Sequence, residues 1–186
     1  MCSSDLGQRK SKPGQILFLG RLGKRKGVYD LIEAAEILKN RHVDFQLLLG
    51  GDGEIELVKK IIGRKGLDGF IKVLGWVSGK EKEQYLKQCH VFVLPSYNEG
   101  FPMGIIEAMS AGIPIVGTTV GGIPDAIRHE KEGLLIEPGS IGVLANSLER
   151  LLSDMDYSNQ LGSAAKIRFE NNFSVDVVFP QFSKLY

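Results

Sequence analysis

Two glutamates in the segment 95–108 have the spacing and surroundings of groups that bind hydroxyls. The segment reads PSYNEGFPMGIIEA, so that seven residues separate Glu99 from Glu107. Its glycines and Pro102 predict that Glu99 lies in a loop, because a helix through them would be poor. Glu107 then falls in the first turns of an otherwise apolar helix, where a carboxylate must find hydrogen-bond donors. We expect sugar hydroxyls as donors. The alternatives are a salt bridge or an interaction with the helix dipole for Glu107, and a solvated loop position for Glu99.

A basic, glycine-rich segment, GRLGKRKG at residues 20–27, has the composition of a phosphate-binding loop. Gly20 allows the backbone to turn tightly and approach a ligand, and the helix expected to follow offers unpaired N–H groups and a positive dipole end. Arg21 and Lys26 flank the turn and are the favoured phosphate partners, because Arg21 can make a bidentate contact. The alternative is a solvated basic turn. Solvent is also the expected environment of the other two basic side chains, Lys24 and Arg25.

Three further loops combine glycines with polar residues, at 50–53, 75–78 and 117–126. Asp52 and Ser78 are expected near helix N-caps. For the loop 50–53 the alternative is a glycine-rich backbone that approaches a ligand. Trp76 has two interpretations: stacking on a base, or the more frequent place of a lone tryptophan in the core. Capping explains Asp125 on its own. The repetition of glycines before a helix after successive strands nevertheless favours one shared ligand cleft.

The sequence lacks the motifs of several other kinds of functional site. The nucleophile elbow G-x-S-x-G is missing, and the basic loop matches neither the dinucleotide fingerprint nor the Walker loop. His42, His90 and His129 occur singly, so structural or surface roles are expected for at least two of them. Cys2 and Cys89 have no metal-binding spacing. The sequence therefore indicates binding of phosphates and hydroxyls rather than an acyl-enzyme or a metal centre.

The elements that must position these loops are six short apolar runs separated by amphipathic stretches. Such runs are typical of strands buried on both faces of a parallel sheet. The alternation predicts an α/β, Rossmann-like fold with a six-stranded parallel sheet and helices on both faces. Ligands bind at the carboxyl ends of such strands. The predicted strands are Ile16–Leu19, Phe45–Leu49, Ile71–Leu74, Val91–Leu94, Ile113–Val116 and Leu134–Ile136. The predicted helices are Val28–Leu38, Glu54–Ile62, Lys80–Gln88, Ile105–Ala111, Ile141–Leu152 and Tyr157–Phe169.

Composition narrows the class of protein further. With 186 residues, 43% hydrophobic and 24% charged, the chain is expected to fold as one globular domain rather than as a disordered or collagen-like polymer. The net charge of +1 argues against a nucleic-acid partner held by bulk charge. No stretch is apolar enough for a signal peptide or a membrane span. Two cysteines suit a reducing cytoplasm.

The chain divides into three predicted regions. Residues 1–12 are expected to be a flexible tail, and residues 13–172 a single ligand-binding domain. The segment 173–186 is apolar and is expected to pack on something, with Pro180 kinking any helix there.

The residues Phe18–Leu22 with Lys26 and Gly27, the pair of glutamates, and Gly121–Asp125 resemble the C-terminal domain of retaining nucleotide-sugar glycosyltransferases. The family is glycosyltransferase family four, or glycosyl transferases group one, with the GT-B fold. The resemblance covers about residues 13–172. The two glutamates joined to the upstream Arg and Lys are a specific signal, whereas each piece alone is weak. Asp125 departs from the pattern, because the family more often has glutamate there.

The resemblance implies a role for each site residue. Arg21 and Lys26 hold the donor diphosphate and, with Glu99, serve catalysis; Glu99 contacts hydroxyls of the donor sugar, and Glu107 binds the ribose. Val77 meets the base through its backbone. No metal or other cofactor is implied, because the basic pair and helix N-termini neutralise the leaving diphosphate. The remaining members of the implied donor-binding set are Gly20, Phe101, Met103 and Gly104.

The family's fold has a second, N-terminal domain that binds the acceptor, and this chain is too short to contain it. We therefore expect donor binding here and little or no transfer by the chain alone. The implied partners are a nucleotide-sugar donor and, through the missing domain, a sugar, glycolipid or polysaccharide acceptor. The implied location is cytoplasmic, with peripheral membrane association of a full-length enzyme as an option. Two alternatives stay open: a non-catalytic nucleotide-sugar-binding module, and an epimerase of the same fold.

Overall fold

The sheet is parallel throughout and has the strand order β3-β2-β1-β4-β5-β6. The computed structural model describes residues 12 and 14–182, and within them it contains six strands, as the sequence predicts. The strands are β1 (Gln15–Leu19), β2 (Gln46–Gly50), β3 (Ile71–Gly75), β4 (Val91–Leu94), β5 (Ile115–Thr118) and β6 (Gly133–Ile136).

Helices cover both faces of this sheet. The helices form two packed groups, and these groups do not follow the order of the chain, because α6 at the end of the sheet returns to pack with α1. Helix α1 packs against α6 and helix α4 against α7. A 3-10 turn, Lys24–Lys26, precedes the first helix. The helices are α1 (Val28–Asn40), α2 (Ile55–Arg64), α3 (Gly79–Gln88), α4 (Met103–Ser110), α5 (Ile123–Ala126), α6 (Ile141–Ser153), α7 (Met155–Asn172) and α8 (Val175–Phe182).

The core explains why the apolar runs become strands. Every residue of β4 is buried, as are Ile16, Leu17 and Phe18 of β1, which agrees with strands covered on both faces. Several boundaries differ from the prediction by one to three residues, and helix α7, predicted as Tyr157–Phe169, spans Met155–Asn172. Strand β5 starts two residues later than expected, because the N–H of Ile113 closes the turn after α4 on Ala108 and Pro114 has no N–H to give. Helix α4 starts two residues earlier, at Met103.

Within the C-terminal segment, residues Val175–Phe182 form α8, which contacts α7 and contains Pro180. Val175 at its start is 77% exposed. The predicted tail lies outside the described residues except for Lys12, as do residues 183–186. None of the helices in the described part of the chain combines the length and apolar character needed to cross a membrane.

The strand order places two loops side by side where the site is expected. Strand β1 pairs with both β2 and β4, so the chain leaves β1 towards one side of the sheet and β4 towards the other. The loops that follow these two strands therefore meet at the carboxyl edge, at the position where open α/β sheets bind ligands. They are the basic loop and the loop that contains Glu99.

Candidate functional site

The centre of the candidate site is an ion pair between the two loops that meet at the switch in strand order. The Nζ atom of Lys26 lies 2.5 Å from Oε2 of Glu99. Both side chains are largely shielded, with exposed fractions of 16% for Lys26 and 9% for Glu99. The hydroxyl of Ser96 donates to the same carboxylate oxygen at 3.4 Å. Glu99 lies in a loop, as predicted, but it is not a solvated loop acid.

Backbone contacts force Lys26 and Glu99 together. Gly27 has φ of +71°, and a Cβ atom there would lie 1.9 Å from the carbonyl oxygen of Pro95. The N–H of Tyr97 donates to the carbonyl of Arg25 at 2.9 Å. The end of the basic loop therefore lies directly on the loop after β4. Only glycine allows this approach at position 27.

The glycines after β5 contact the backbone of Glu99 and Gly100. Gly121 has φ of +53°, and a Cβ atom on it would lie 1.6 Å from the carbonyl oxygen of Glu99. The N–H of Gly122 donates to the carbonyl of Gly100 at 3.1 Å. The loop after β5 thus fixes the backbone that carries Glu99, and the shared ligand cleft stays a prediction. Asp125 is exposed in α5, and its carbonyl accepts from Arg168.

Arg21 lies apart from this ion pair. Its side chain is 68% exposed, and its guanidinium is 4.0 Å from the carboxylate of Asp52. Asp52 lies near the start of α2 as expected, two positions before the N-cap residue Glu54. The backbone of Asp52 ties the loops after β1 and β2 together, since its carbonyl accepts from the N–H of Leu22 at 2.6 Å. The expected solvent exposure of the other two basic residues is confirmed for Lys24 and Arg25.

A tyrosine on α1, Tyr29, anchors the start of α2. The hydroxyl of Tyr29 donates to the carboxylate of Glu54. Burial, together with this bond to a carboxylate, raises the pKa of Tyr29 to about 12. Tyr29 therefore stays a neutral donor over the physiological pH range and fixes Glu54 beside Gly23 of the basic loop.

Glu107 has a partner of its own. It lies on α4 with 31% of its side chain exposed, and its Oε1 atom is 2.5 Å from Nζ of Lys82 on α3. The salt bridge weighed against a hydroxyl-binding role is therefore present. The pair borders a groove of about 740 Å³ between α3 and α4, which Leu86, Lys87 and Lys166 also line. Sequence reasoning missed Lys82, since nothing local marks which face of the polar helix α3 turns towards α4.

The remaining candidates surround the two ion pairs. Phe101 and Met103 are exposed, at 63% and 56%. A Cβ atom on Gly104 would lie 3.0 Å from the ring of Phe92, so glycine lets α4 start close to the sheet. Gly20 donates its N–H to the carbonyl of Gly50 at 2.9 Å and thereby leads the basic loop away from β1.

The loop after β3 corrects one prediction. Trp76 is 73% exposed, so its more frequent place in a core is the wrong choice here. The neighbouring Val77 turns its side chain inward and is 8% exposed. Ser78 occupies the N-cap position of α3 as predicted, although its side chain makes no capping hydrogen bond. The two residues Trp76 and Val77 thus present opposite faces of the loop, one to solvent and one to the core.

The histidines have the structural or surface places expected of them. His90 is buried, with Nε2 3.2 Å from the hydroxyl of Ser158, and Nδ1 of His129 accepts from the N–H of Leu135. His42 is exposed. Across residues 12 and 14–182, no group of three or more His, Cys, Asp or Glu side chains is placed to hold a metal ion.

Comparison with known proteins identifies the family. Residues 6–168 match the profile of the family described as glycosyl transferases group 1. The chain belongs to this family. It is 30% identical over 172 residues to a 2-deoxystreptamine N-acetyl-D-glucosaminyltransferase of Niallia circulans, a match that covers 92% of this chain and 44% of the relative. It is 31% identical over 181 residues to the amylovoran biosynthesis glycosyltransferase AmsK of Erwinia amylovora, which covers 94% of this chain and 44% of that relative.

Solved structures agree with the group 1 assignment. The fold superposes on Anabaena Alr3699/HepE, solved in complex with UDP and glucose, with a TM-score of 0.86 at 25% identity over 93% of this chain and 48% of that one. The predicted Rossmann-like half of a GT-B glycosyltransferase is therefore confirmed as the fold. The chain spans less than half the length of the relatives that it matches. The epimerase and the non-catalytic module receive no support from these relatives.

Proposed function

We propose that this group 1 chain is the donor-binding part of a retaining, family four glycosyltransferase. The enzyme moves a sugar from a nucleotide diphosphate-sugar to an acceptor hydroxyl. The observation that carries the proposal is the shielded pair of Lys26 and Glu99 at the meeting point of the β1 and β4 loops. A cation for the diphosphate and an acceptor for sugar hydroxyls are held there side by side.

The diphosphate is assigned to Lys26 and Arg21. The ammonium of Lys26 is fixed by Glu99, whereas Arg21 projects into solvent from the start of the same loop and is available to close on a ligand. Two cations on one loop neutralise the charge that develops on the leaving diphosphate, and this kind of electrostatic stabilisation is usually the largest contribution to catalysis. The proposal assigns this neutralisation to protein groups without a metal ion.

The sugar and nucleoside are assigned to the carboxylates and the surrounding backbone. Glu99 accepts hydrogen bonds from donor-sugar hydroxyls, and Glu107 accepts them from the ribose, because charged acceptors make the stronger hydrogen bonds. The backbone from Phe101 to Gly104, including Met103, lines the sugar and phosphates, and that of Val77 meets the base. The complex of the similar Anabaena protein with UDP and glucose supports a nucleoside diphosphate and a sugar as the class of ligand.

The reaction keeps the configuration of the anomeric carbon. The acceptor oxygen forms the new bond on the face from which the diphosphate departs, while the bond between the anomeric carbon and the phosphate oxygen breaks. The acceptor proton passes to the departing phosphate oxygen. Arg21 and Lys26 hold the diphosphate in place while both bonds change.

The acceptor is assigned to a second domain outside this chain, so the isolated chain should show little or no transfer. The likeness to the amylovoran biosynthesis glycosyltransferase supports a role in polysaccharide or glycolipid synthesis. The proposal includes a cytoplasmic location, with peripheral membrane association of the full-length enzyme as an option.

The experiment is calorimetric titration of the chain with UDP, GDP and ADP and with their glucose conjugates. Binding of one nucleotide series is expected, and Arg21→Met and Lys26→Met should each weaken it by about tenfold or more, since hydrogen bonds to charged groups contribute roughly 1.5–3 kcal/mol. Lys24→Met is the matched control, because Lys24 is an exposed lysine in the same loop. Circular dichroism checks the fold of each variant. No binding of any nucleotide, or equal losses in Lys24→Met and Lys26→Met, would contradict the proposal.

A further inference from the structure

The ion pair between Lys82 and Glu107 raises a question that the proposed function leaves open. Glu107 is assigned to ribose hydroxyls, yet a lysine ammonium lies 2.5 Å from its Oε1 atom. A vicinal diol that bonds both carboxylate oxygens must either share Oε1 with this ammonium or displace it, since Oε1 has two lone pairs. The ligand and Lys82 therefore draw on the same acceptor atom, and displacement is the case that is tested.

Both the strength and the setting of the pair suit displacement. Each side chain is 31% exposed, so solvent screens the attraction, and such pairs contribute little to stability. Helix α3 is lightly anchored, because Leu86 is the only residue buried among those of α3, Gly79–Gln88. By contrast, Lys26 and Glu99 are shielded and braced by two neighbouring loops. The ion pair between Lys82 and Glu107 is therefore easier to separate than the pair between Lys26 and Glu99.

We propose that Lys82 occupies Glu107 in the empty site, is displaced by the 2′,3′-diol of a ribonucleotide, and thereby reduces the preference of the site for ribonucleotides over dideoxynucleotides. The inference rests on the proposed role of Glu107 in ribose binding. A ribonucleotide gains two hydrogen bonds to Glu107 and loses the ion pair. A dideoxynucleotide has no hydroxyl to offer and leaves the ion pair intact. Lys82 thus lowers the affinity for ribonucleotides and leaves that for dideoxynucleotides unchanged.

The test compares two ligands on the wild type and five variants. UDP, GDP and ADP and the corresponding 2′,3′-dideoxynucleoside diphosphates are titrated by calorimetry into the full chain, using the series that the wild type binds most tightly. The quantity measured is the ratio of the dissociation constant of the dideoxy compound to that of the ribonucleotide. Loss of a positive charge near the diphosphate affects both ligands equally and cancels in this ratio.

Lys82→Met is expected to raise the ratio about two- to fivefold, the range that corresponds to an exposed ion pair. Lys82→Arg should restore the wild-type ratio, because the guanidinium reaches the same carboxylate. Lys87→Met is the matched control: Lys87 lies on the same helix and lines the same groove, but its acidic neighbour is Glu83 at 4.0 Å. Its ratio should equal that of the wild type.

The outcomes separate the two proposals. A ratio that is unchanged or lower in Lys82→Met overturns the inference, and so does an equal rise in Lys87→Met. If the wild type binds a nucleotide through Arg21 and Lys26 but the ratio of dissociation constants is the same in Lys82→Met, only the inference about Lys82 fails. If no nucleotide binds the wild type, the proposed function fails and the inference falls with it. In a Glu107→Gln background, a remaining effect of Lys82→Met on the ratio would also overturn the inference.

Discussion

The ammonium of Lys26 lies 2.5 Å from the carboxylate of Glu99, although 73 positions separate them in the sequence. The contact exists because β1 and β4 are neighbours in the sheet and the loops that leave them are packed backbone to backbone. A lysine and a glutamate that are both shielded from water depend on each other, since an unpaired buried charge is costly. This dependence makes the pair testable from either side.

Glu99→Gln should lower the stability of the chain by about 2 kcal/mol, because it leaves a shielded ammonium without a countercharge. The same variant should retain binding of the bare nucleoside diphosphate, since Lys26 is freed for phosphate, while losing the added affinity of the sugar conjugate. Urea unfolding and calorimetry measure the two effects. Glu83→Gln is the control, because its ion pair is exposed and should contribute less than about 1 kcal/mol. Equal stability of Glu99→Gln and wild type would contradict the assigned role of the pair.

Gly121→Ala tests whether the loop after β5 sets the position of Glu99. A methyl group at this position would lie 1.6 Å from the carbonyl oxygen of Glu99 on a backbone with φ of +53°. The loop must therefore shift, and we expect a loss of about 2 kcal/mol in the free energy of unfolding together with weaker binding of the sugar conjugate. Gly142→Ala in helix α6 is the matched control, because nothing lies within 4 Å of its added methyl. That variant should be more stable by about 0.5–1 kcal/mol and bind normally. Normal binding by Gly121→Ala would refute the bracing role.

Trp76 gives an optical signal for the same site. It is the only tryptophan in the chain and is 73% exposed, so its emission should resemble that of indole in water. Because it adjoins Val77, which is assigned to the base, nucleotide binding should quench or blue-shift this emission. A fluorescence titration measures the change, and an affinity equal to the calorimetric value shows that both report one event. Binding by calorimetry with an unchanged spectrum would place the base away from this loop.

Local patterns predict the fold well, because the hydrophobic periodicity of a short stretch of sequence indicates a buried strand or an amphipathic helix. Strand β5 was misplaced by two residues, since the apolar Ile113 belongs to the turn after α4 and not to the sheet. The candidate site is harder to predict from the sequence. Glu99 and Lys26 could be chosen by type and loop position, but their contact depends on strand order. Lys82 gave no local signal, and Trp76 was misjudged because burial depends on what the rest of the chain leaves uncovered.

Glu132 provides a prediction about pH and stability away from the site. It is 2% exposed, and its carboxylate accepts from both the backbone N–H and the guanidinium of Arg128. Burial by itself would raise the pKa of Glu132, but the hydrogen bonds from Arg128 outweigh it and hold this pKa below its ordinary value of 4.5. The folded state therefore binds a proton less readily than the unfolded state. The resulting stabilisation is complete above about pH 4.5 and is lost as the pH falls through the lowered pKa.

Glu132→Gln should accordingly lose about 2 kcal/mol at pH 7, which corresponds to roughly 4–8 °C in Tm for a chain of this size. Below pH 4.5 the gap to the wild type should narrow, because the wild-type carboxylate is then being protonated. Melting curves between pH 3 and 8 measure this. Glu56→Gln is the control, since its side chain is 86% exposed and its ion pair with Lys59 is a surface contact. A gap between Glu132→Gln and wild type that stays constant down to pH 3 would mean that the loss comes from packing and not from the charge that Arg128 stabilises.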